Sequence, residues 1–140
     1  MIEVKKITTQ QFGEIEVEPE FIFNFENGLL GFEHLREFVL ITDDETAPFK
    51  WLISIEEPLI GFPLLSPWHI DLSYNPGKDI DLEIEVILVV VTLEDEKGRL
   101  TANMKAPVIL NIDEQSGRQI ILPSDKYSPT FIISRKREWK

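Results

Sequence analysis

The sequence predicts a mainly β, compact single-domain β-barrel-like fold of short antiparallel strands, with at most one or two short helices. Apolar and polar residues alternate along about ten short segments, and a period of two places each apolar set on one face of a strand. Turn-forming residues separate these segments at short intervals, and no long helical periodicity interrupts them, which is typical of a barrel or sandwich. The 140 residues form a chain of ordinary single-domain length without a change in composition, so we expect one domain spanning residues 1–140.

In the first half of the chain, alternation predicts strands around Ile2 and Val4 and around Ile15 and Val17, and then from residue 21 to residue 25. The dipeptide Asn27-Gly28 suits a tight turn. Residues 34–37 are compatible with one helical turn. Further strands are predicted at residues 38–42, 50–55 and 62–65, with prolines between them.

Residues 68–83 are ambiguous, because their apolar residues alternate as in a strand while residues 79–83 also suit a short helix. Residues 86–93 form the clearest strand, since β-branched side chains on both faces indicate burial of both faces. Strands are then predicted at 100–104, 108–112, 118–122 and 130–134, and the loop at 113–117 makes the third of these a hairpin partner of the second.

The chain is strongly acidic, with 25 acidic and 14 basic residues and a formal net charge of −11. This charge opposes direct nucleic-acid binding, which depends on lysine and arginine, and favours rapid encounter with a basic protein partner. The basic residues at the chain end are interpreted as a frayed tail spanning residues 135–140. No apolar run follows the first lysines, and residues 86–91 are too few to cross a bilayer, so we expect a cytoplasmic protein without membrane association.

Residues that carry catalysis are scarce. The chain has no cysteine and only two histidines, and it lacks a nucleophile elbow, a phosphate-binding loop and a dinucleotide fingerprint. We therefore expect no catalytic residues, no metal site, no cofactor and no small-molecule substrate. Carboxylates instead form two predicted stripes along strand faces, interpreted as solvent-facing, or alternatively as docking surfaces or the acid–base pair of a small enzyme. The stripes are Glu14, Glu16 and Glu18, and Asp79, Asp81, Glu83 and Glu85.

Three segments at residues 25–32, 48–52 and 59–68 are apolar and aromatic although they contain many glycines and prolines. Their side chains either fill the barrel or form an apolar patch for a partner, because aromatic residues are favoured anchors in interfaces. A carbohydrate- or peptide-binding module that exposes Trp51 or Trp68 is a further alternative.

These segments also resemble a known family. The Phe-Glu-Asn-Gly-Leu-Leu-Gly-Phe segment at residues 25–32 and the Pro-Phe-Lys-Trp-Leu segment at 48–52 are similar to those of the flagellar assembly factor FliW. So are the Thr-Ala-Asn-Met-Lys-Ala-Pro-Val-Ile-Leu-Asn segment at 101–111, the Gly-Arg-Gln-Ile-Ile-Leu segment at 117–122 and Tyr127. The resemblance covers nearly the whole chain, from residue 2 to residue 127.

The resemblance implies a β-barrel-like protein without enzymatic activity that has two alternative partners. One is flagellin, held in the cytoplasm before export. The other is CsrA, an RNA-binding translational regulator that represses flagellin synthesis and that FliW antagonises, acting beside its RNA site. Flagellin occupancy then leaves CsrA free, and secretion of flagellin releases FliW to bind CsrA. Because the partners exclude each other, each lowers the affinity for the other by the same factor.

We predict that an apolar groove receives an amphipathic helix of flagellin, as in other helix-in-groove complexes. One of the acidic stripes is expected to face the positively charged CsrA. The predicted partner-binding residues are Leu29, Leu30, Phe32, Phe62 and Trp68 for the groove, Asp79, Asp81 and Glu83 for the acidic surface, and Asn103 in the third family-like segment.

Overall fold

The computed structural model describes residues 5–135, and eleven strands make up most of its regular structure. The described residues contain no α-helix but only 3₁₀ turns at Pro19–Phe21, Asp44–Thr46 and Pro67–His69, so the mainly β prediction is confirmed. The strands are β1 Lys5–Thr9, β2 Gly13–Val17, β3 Ile22–Asn24, β4 Glu37–Thr42, β5 Lys50–Ser54, β6 Gly61–Leu65, β7 Glu85–Thr92, β8 Arg99–Ala102, β9 Val108–Asn111, β10 Ser116–Gln119 and β11 Phe131–Arg135.

Seven of the strands close into a barrel in the order β7-β6-β5-β4-β3-β10-β9, and β9 pairs back onto β7. All neighbours are antiparallel except β3 and β10, which run parallel and share a single residue pair, Asn24 with Ser116. Gln115 supports this junction with a side-chain amide that donates to the carbonyls of Pro19 and Ile22, at 2.7 and 3.0 Å. β8 and β11 extend from the end of β7 as a short antiparallel flap.

The barrel interior is filled by one side of the strands and by the loop at residues 25–36. Period-two alternation aims every second side chain inward, where burial of an aliphatic or aromatic side chain contributes about 1.5–3 kcal/mol. The Phe25 and Phe38 rings are fully buried and meet edge to face at 5.2 Å. The interior also holds Phe23, Leu29, Leu35, Leu52, Leu64, Leu88, Val108 and Leu110.

Two further layers cover the outside of the barrel, which explains why β5 and β7 are apolar on both faces. The β1–β2 hairpin packs Val17 against Val39, Trp51 and Ile53 on β4 and β5. Residues of the 67–84 segment, with others near residues 120–127, cover β7 and β9 on another side. The outward-facing residues of the central strands therefore lie in small secondary cores.

The 68–83 segment is where sequence periodicity gave the wrong secondary structure. Residues 68–74 form no strand, and residues 79–83 form a turn instead of a helix. Pro67 starts a 3₁₀ turn, and the Trp68 indole N–H then donates to the Tyr74 carbonyl at 3.0 Å. Only part of the alternating apolar set packs inward from this chain of turns, namely Trp68, Ile70, Tyr74 and Ile80, whereas Leu72 and Leu82 are exposed. The spacing therefore imitates a strand. Residues 34–37 likewise form no helix, because a turn leads directly into β4.

The predicted strand around Ile2 and Val4 and most of the basic tail lie outside the described residues. Within residues 5–135, no helix has the length and apolar character needed to span a membrane.

Candidate functional site

The loop at residues 25–36 closes one end of the barrel. Its ends are joined by a hydrogen bond from the Phe25 N–H to the Arg36 carbonyl at 2.7 Å, and the Phe32 N–H donates to the Leu29 carbonyl at 2.7 Å. Gly28 has a φ of +63°, and a Cβ there would lie 2.6 Å from the Phe32 carbonyl oxygen. Only glycine fits this close approach without strain, so the sequence dictates a tight turn at this point.

The turn sends Leu29 and Leu30 in opposite directions. Leu29 is buried in the barrel interior, whereas the Leu30 side chain remains 48% exposed at the barrel end. Gln119 on β10 holds this arrangement, because its Oε1 accepts the Leu30 N–H at 2.9 Å while its Nε2 donates to the Ala106 carbonyl at 2.9 Å. Leu30 is therefore presented to solvent by a loop whose backbone is fixed.

A groove of about 250 Å³, which we call the barrel-mouth groove, runs beside Leu30. The loop, β6, β7 and β8 form its walls, together with residues 129–130 before β11. The structure brings together five of the nine residues that were predicted from the sequence. These are Leu29, Leu30, Phe32, Phe62 and Asn103.

Two half-buried rings give this groove its apolar wall. Phe32 and Phe62 meet edge to face with centroids 5.0 Å apart, and Phe62 also lies 6.3 Å from Phe38 of the interior. Asn103 supplies a fixed polar corner, because its Oδ1 accepts the Ala106 N–H at 3.0 Å and its own N–H donates to the Val90 carbonyl. The aromatic wall of the groove is thus an apolar surface continuous with the core.

A second groove of about 470 Å³ lies on the other side of Leu30 and is lined by charged side chains, which the barrel-mouth groove lacks. Its lining includes Glu26, Glu33 and Arg118, while Leu29, Leu30 and Gln119 border both grooves. The Gly31 N–H donates to the Glu33 carboxylate at 2.9 Å and lowers the Glu33 pKa, so this rim stays negative. Leu30 is the ridge between an uncharged groove and a charged one.

Gln119 was missed by sequence reasoning, and so was the part played by Val90, Thr92 and Thr101 in the groove. Val90 and Thr92 lie on the face of β7 that points into the barrel, so the period-two pattern of this strand could have identified them. Gln119 gave none, because an amide within a strand has no pattern that marks it as a loop anchor.

Trp68 does not line the barrel-mouth groove, which corrects that part of the predicted set. It packs edge to face on Tyr74 at 5.9 Å, within the layer that covers the outside of β7. The 3₁₀ turn after Pro67 directs its indole there. Trp51 is also not presented to a ligand, since its side chain is buried (6% exposed) and its indole N–H donates to Thr46 Oγ1 at 3.0 Å.

The second acidic stripe is not a strand face. Asp79, Asp81 and Glu83 are exposed on a turn, and the Asp81 carbonyl accepts the N–H groups of Ile84 and Glu85. Glu85 is buried and pairs with Arg118 instead of joining the others. In contrast, Glu14 and Glu16 do lie exposed on one face of β2, and Glu18 follows that strand.

Among residues 5–135, no cluster of three or more histidine, aspartate or glutamate side chains has the geometry to hold a metal ion. His34 lies on the surface, 3.1 Å from Glu57, and His69 is exposed in a different element.

Comparison with known proteins agrees with this geometry. The family model described as FliW protein matches residues 6–132 of the chain. The "Flagellar assembly factor FliW" of Clostridium tetani is 39% identical over 137 residues, which cover 91% of this chain and 94% of that relative. The protein of the same name from Thermotoga petrophila is 37% identical over 139 residues, which cover 91% of this chain and 93% of that relative.

A solved structure described as "Crystal structure of the flagellar assembly factor FliW" is also similar. It aligns with a TM-score of 0.82 at 30% sequence identity, covering 93% of this chain and 97% of that one. Both the sequence and the arrangement of the barrel are therefore shared over almost the full described length. The chain belongs to the FliW family of flagellar assembly factors.

Proposed function

We propose that this protein is a non-enzymatic, cytoplasmic flagellar assembly factor that binds flagellin and that binds and antagonises CsrA when it is free of flagellin. The observation that carries the proposal is the barrel-mouth groove, in which the exposed Leu30 stands beside the Phe32 and Phe62 rings of a FliW-family barrel. Binding flagellin at this groove, with no small-molecule substrate, accounts for the assembly function that the relatives' names state.

The groove suits an amphipathic helix. A helix docks through apolar side chains three and four positions apart, which require a shallow apolar trough and a fixed wall. The barrel-mouth groove offers an apolar aromatic wall that packs against the core, and the Leu30 loop beside it is fixed to β10 through Gln119. A preformed site also avoids the entropic cost of ordering the protein on binding.

The charge of the chain supports the second partner. CsrA needs a positive surface to grip RNA, and the net charge of −11 attracts such a surface while repelling RNA itself. Direct nucleic-acid binding by this chain is therefore not part of the proposal. Mutual exclusion of the two partners makes the coupling reciprocal, so free flagellin controls how much of the protein is available to CsrA.

Calorimetric titration with flagellin tests the first partner. We expect Leu30→Asp to weaken flagellin binding by about tenfold or more, because a carboxylate would be placed against the apolar face of the helix. Leu72→Asp is the matched control, since Leu72 is 90% exposed on the layer over β7 and lies outside the groove. Both variants should unfold at the wild-type temperature. Unchanged flagellin affinity in folded Leu30→Asp rejects the groove as the flagellin site.

A competition experiment tests the switch. CsrA is immobilised, saturated with the protein and then exposed to rising concentrations of flagellin. We expect flagellin to release the protein from CsrA, and flagellin affinity to fall by the same factor when CsrA is present. A stable ternary complex with undiminished affinities contradicts the switch.

A further inference from the structure

Strand β4 has an edge that the barrel leaves open. On one side β4 pairs with β5 along its length from Phe38 to Thr42. On the other side β3 pairs only with Glu37, Phe38 and Val39, because the chain before β3 turns away in the 3₁₀ turn at Pro19–Phe21. Within residues 5–135, Leu40, Ile41 and Thr42 therefore have no strand partner on that side.

A groove of about 310 Å³ follows this edge, and its lining identifies it as an edge groove. Residues 39–42 all line it, although successive side chains of a strand point to opposite faces. A groove on a sheet face would be lined by every second residue, so four consecutive residues indicate a trough beside the backbone. The partly exposed Phe21 ring forms one end of the trough.

The open part is long enough for a short added strand. Three strand residues span about 10 Å at the usual rise of about 3.4 Å per residue. An edge of this kind presents unpaired N–H and C=O groups that template pairing with another chain. The described structure lacks a bulge in this part of β4 that would twist the edge away.

The charges around the trough select its occupant. Glu16 and Glu18 line it, both are exposed, and neither forms an ion pair within the described residues. Two ammonium groups are nearby, since Lys6 lies opposite Glu16 in the register of the hairpin and the Lys50 Nζ lies 3.3 Å from Thr42 Oγ1. A second copy of this chain would bring its own glutamates to the same place, at a net charge of −11 for each copy.

We propose that the open edge of β4 binds an extended, lysine- or arginine-bearing segment of a partner protein as an added strand. Backbone pairing with Leu40 and Thr42 supplies the affinity, because the N–H and C=O groups of Ile41 point to β5. Glu16 and Glu18 supply the preference for basic side chains. This surface shares no lining residue with the barrel-mouth groove, so it is a second docking site that does not depend on the proposed function.

Fluorescence anisotropy with a labelled lysine–valine alternating octapeptide tests the proposal. We expect the wild-type protein to bind this peptide at least about tenfold more tightly than the same peptide methylated at every backbone nitrogen. Hydrogen exchange of the Leu40 and Thr42 amides should show new protection in the complex, whereas the Ile41 amide, which faces β5, should not change. Leu30→Asp should bind the peptide as the wild type does, which separates this site from the flagellin groove.

Two charge-reversal variants complete the test. Glu16→Lys/Glu18→Lys should weaken peptide binding by about tenfold, whereas Asp79→Lys/Glu83→Lys, with the same change in net charge on a different element, should stay within about twofold. Equal losses in both variants, or equal binding of the methylated peptide, mean diffuse attraction and overturn the proposal. Absence of peptide binding also overturns it, as does edge protection that rises with protein concentration alone, which would assign the edge to a second copy.

Discussion

Arg118 on β10 donates a hydrogen bond from Nη1 to Oε2 of Glu85 on β7, at a distance of 2.6 Å. The two strands are not neighbours, since β9 lies between them and pairs with both. The ion pair therefore bridges three strands on the outside of the barrel. The other Glu85 oxygen accepts the Asp81 N–H at 3.0 Å, so one buried carboxylate also holds the turn that precedes β7.

Loss of this pair should destabilise the fold. In Arg118→Met the Glu85 carboxylate stays buried but loses its charged donor, so the free energy of unfolding should fall by about 1–2 kcal/mol. The lower end is expected because the Arg118 side chain is 46% exposed and solvent weakens its charge. Urea unfolding measures the difference, with Arg36→Met as the control at an exposed arginine that forms no ion pair in residues 5–135. Equal stability of the two variants contradicts a stabilising role for the pair.

The same pair predicts a pH dependence. The hydrogen bond from Arg118 favours the ionised carboxylate and lowers the Glu85 pKa from its ordinary value of 4.5. Because the folded pKa lies below the unfolded one, the stabilisation is fully present above 4.5 and is lost as the pH falls through the folded pKa. The difference in unfolding free energy between wild type and Arg118→Met should be constant from pH 8 to about 5 and shrink at lower pH. A constant gap down to about pH 3 would mean that Glu85 does not carry the effect.

Gly117 predicts an unusually sensitive core contact. A Cβ at this position would overlap the ring of Phe25, which is fully buried beneath β10. Gly117→Ala should therefore destabilise the protein by about 1–3 kcal/mol, the usual effect of overpacking. In the Phe25→Leu background the same substitution should be less damaging, because the smaller side chain leaves room for the new methyl group. Additive losses in thermal unfolding of the double variant would place the strain elsewhere.

Gln119 predicts a link between loop order and flagellin affinity. Gln119→Ala removes the acceptor of the Leu30 N–H and the donor to the Ala106 carbonyl. We expect hydrogen exchange at the Leu30 amide to accelerate and flagellin affinity to fall by about three- to tenfold, since the loop must then be ordered on binding. Gln10→Ala in the exposed β1–β2 turn is the control. Faster exchange with unchanged flagellin affinity would show that the ordering of the Leu30 loop by Gln119 does not contribute to flagellin binding.

Electrostatic steering predicts the salt dependence of CsrA capture. The association rate constant should fall steeply between about 50 and 200 mM salt, because the Debye length shortens over that range. Of the two acidic regions, we expect charge reversal at Glu14 and Glu16 to slow association more than reversal at Asp79 and Glu83. Only the first pair forms a continuous strand face. Stopped-flow measurements that show a salt-independent rate would remove these carboxylates from the mechanism.

The barrel was largely predictable from the sequence because its strands obey local rules. The continuous apolar run of β7 correctly indicated burial on both faces, and the loop between β9 and β10 correctly indicated a hairpin. The separate layers that cause the double burial were not predictable, because they depend on which distant segments pack over the strands. The β1–β2 hairpin and the segment at residues 67–84 pack over the outside of the barrel. Their alternation of apolar and polar residues would be the same if they were strands of the barrel wall, so it does not distinguish the two roles.

The candidate site was predictable only in part. The glycine spacing around Leu29 and Leu30 indicated the loop, and the structure brings Phe62 into the same groove. Trp68 was wrongly assigned to the groove, since its direction depends on a turn after Pro67 that alternation does not reveal. The paired state of Glu85 was equally hidden, because its partner Arg118 lies 33 residues away in the sequence.

The single parallel pair between Asn24 and Ser116 makes the junction of β3 and β10 the weakest joint in the cylinder. Local opening begins where few backbone hydrogen bonds must break, so the barrel should open at this junction before it opens elsewhere. Such opening would carry Leu30 away from Gln119, because the two residues lie on opposite sides of the joint. A bound helix that contacts both residues would hold the two strands together. Flagellin binding would then stabilise the whole barrel against unfolding.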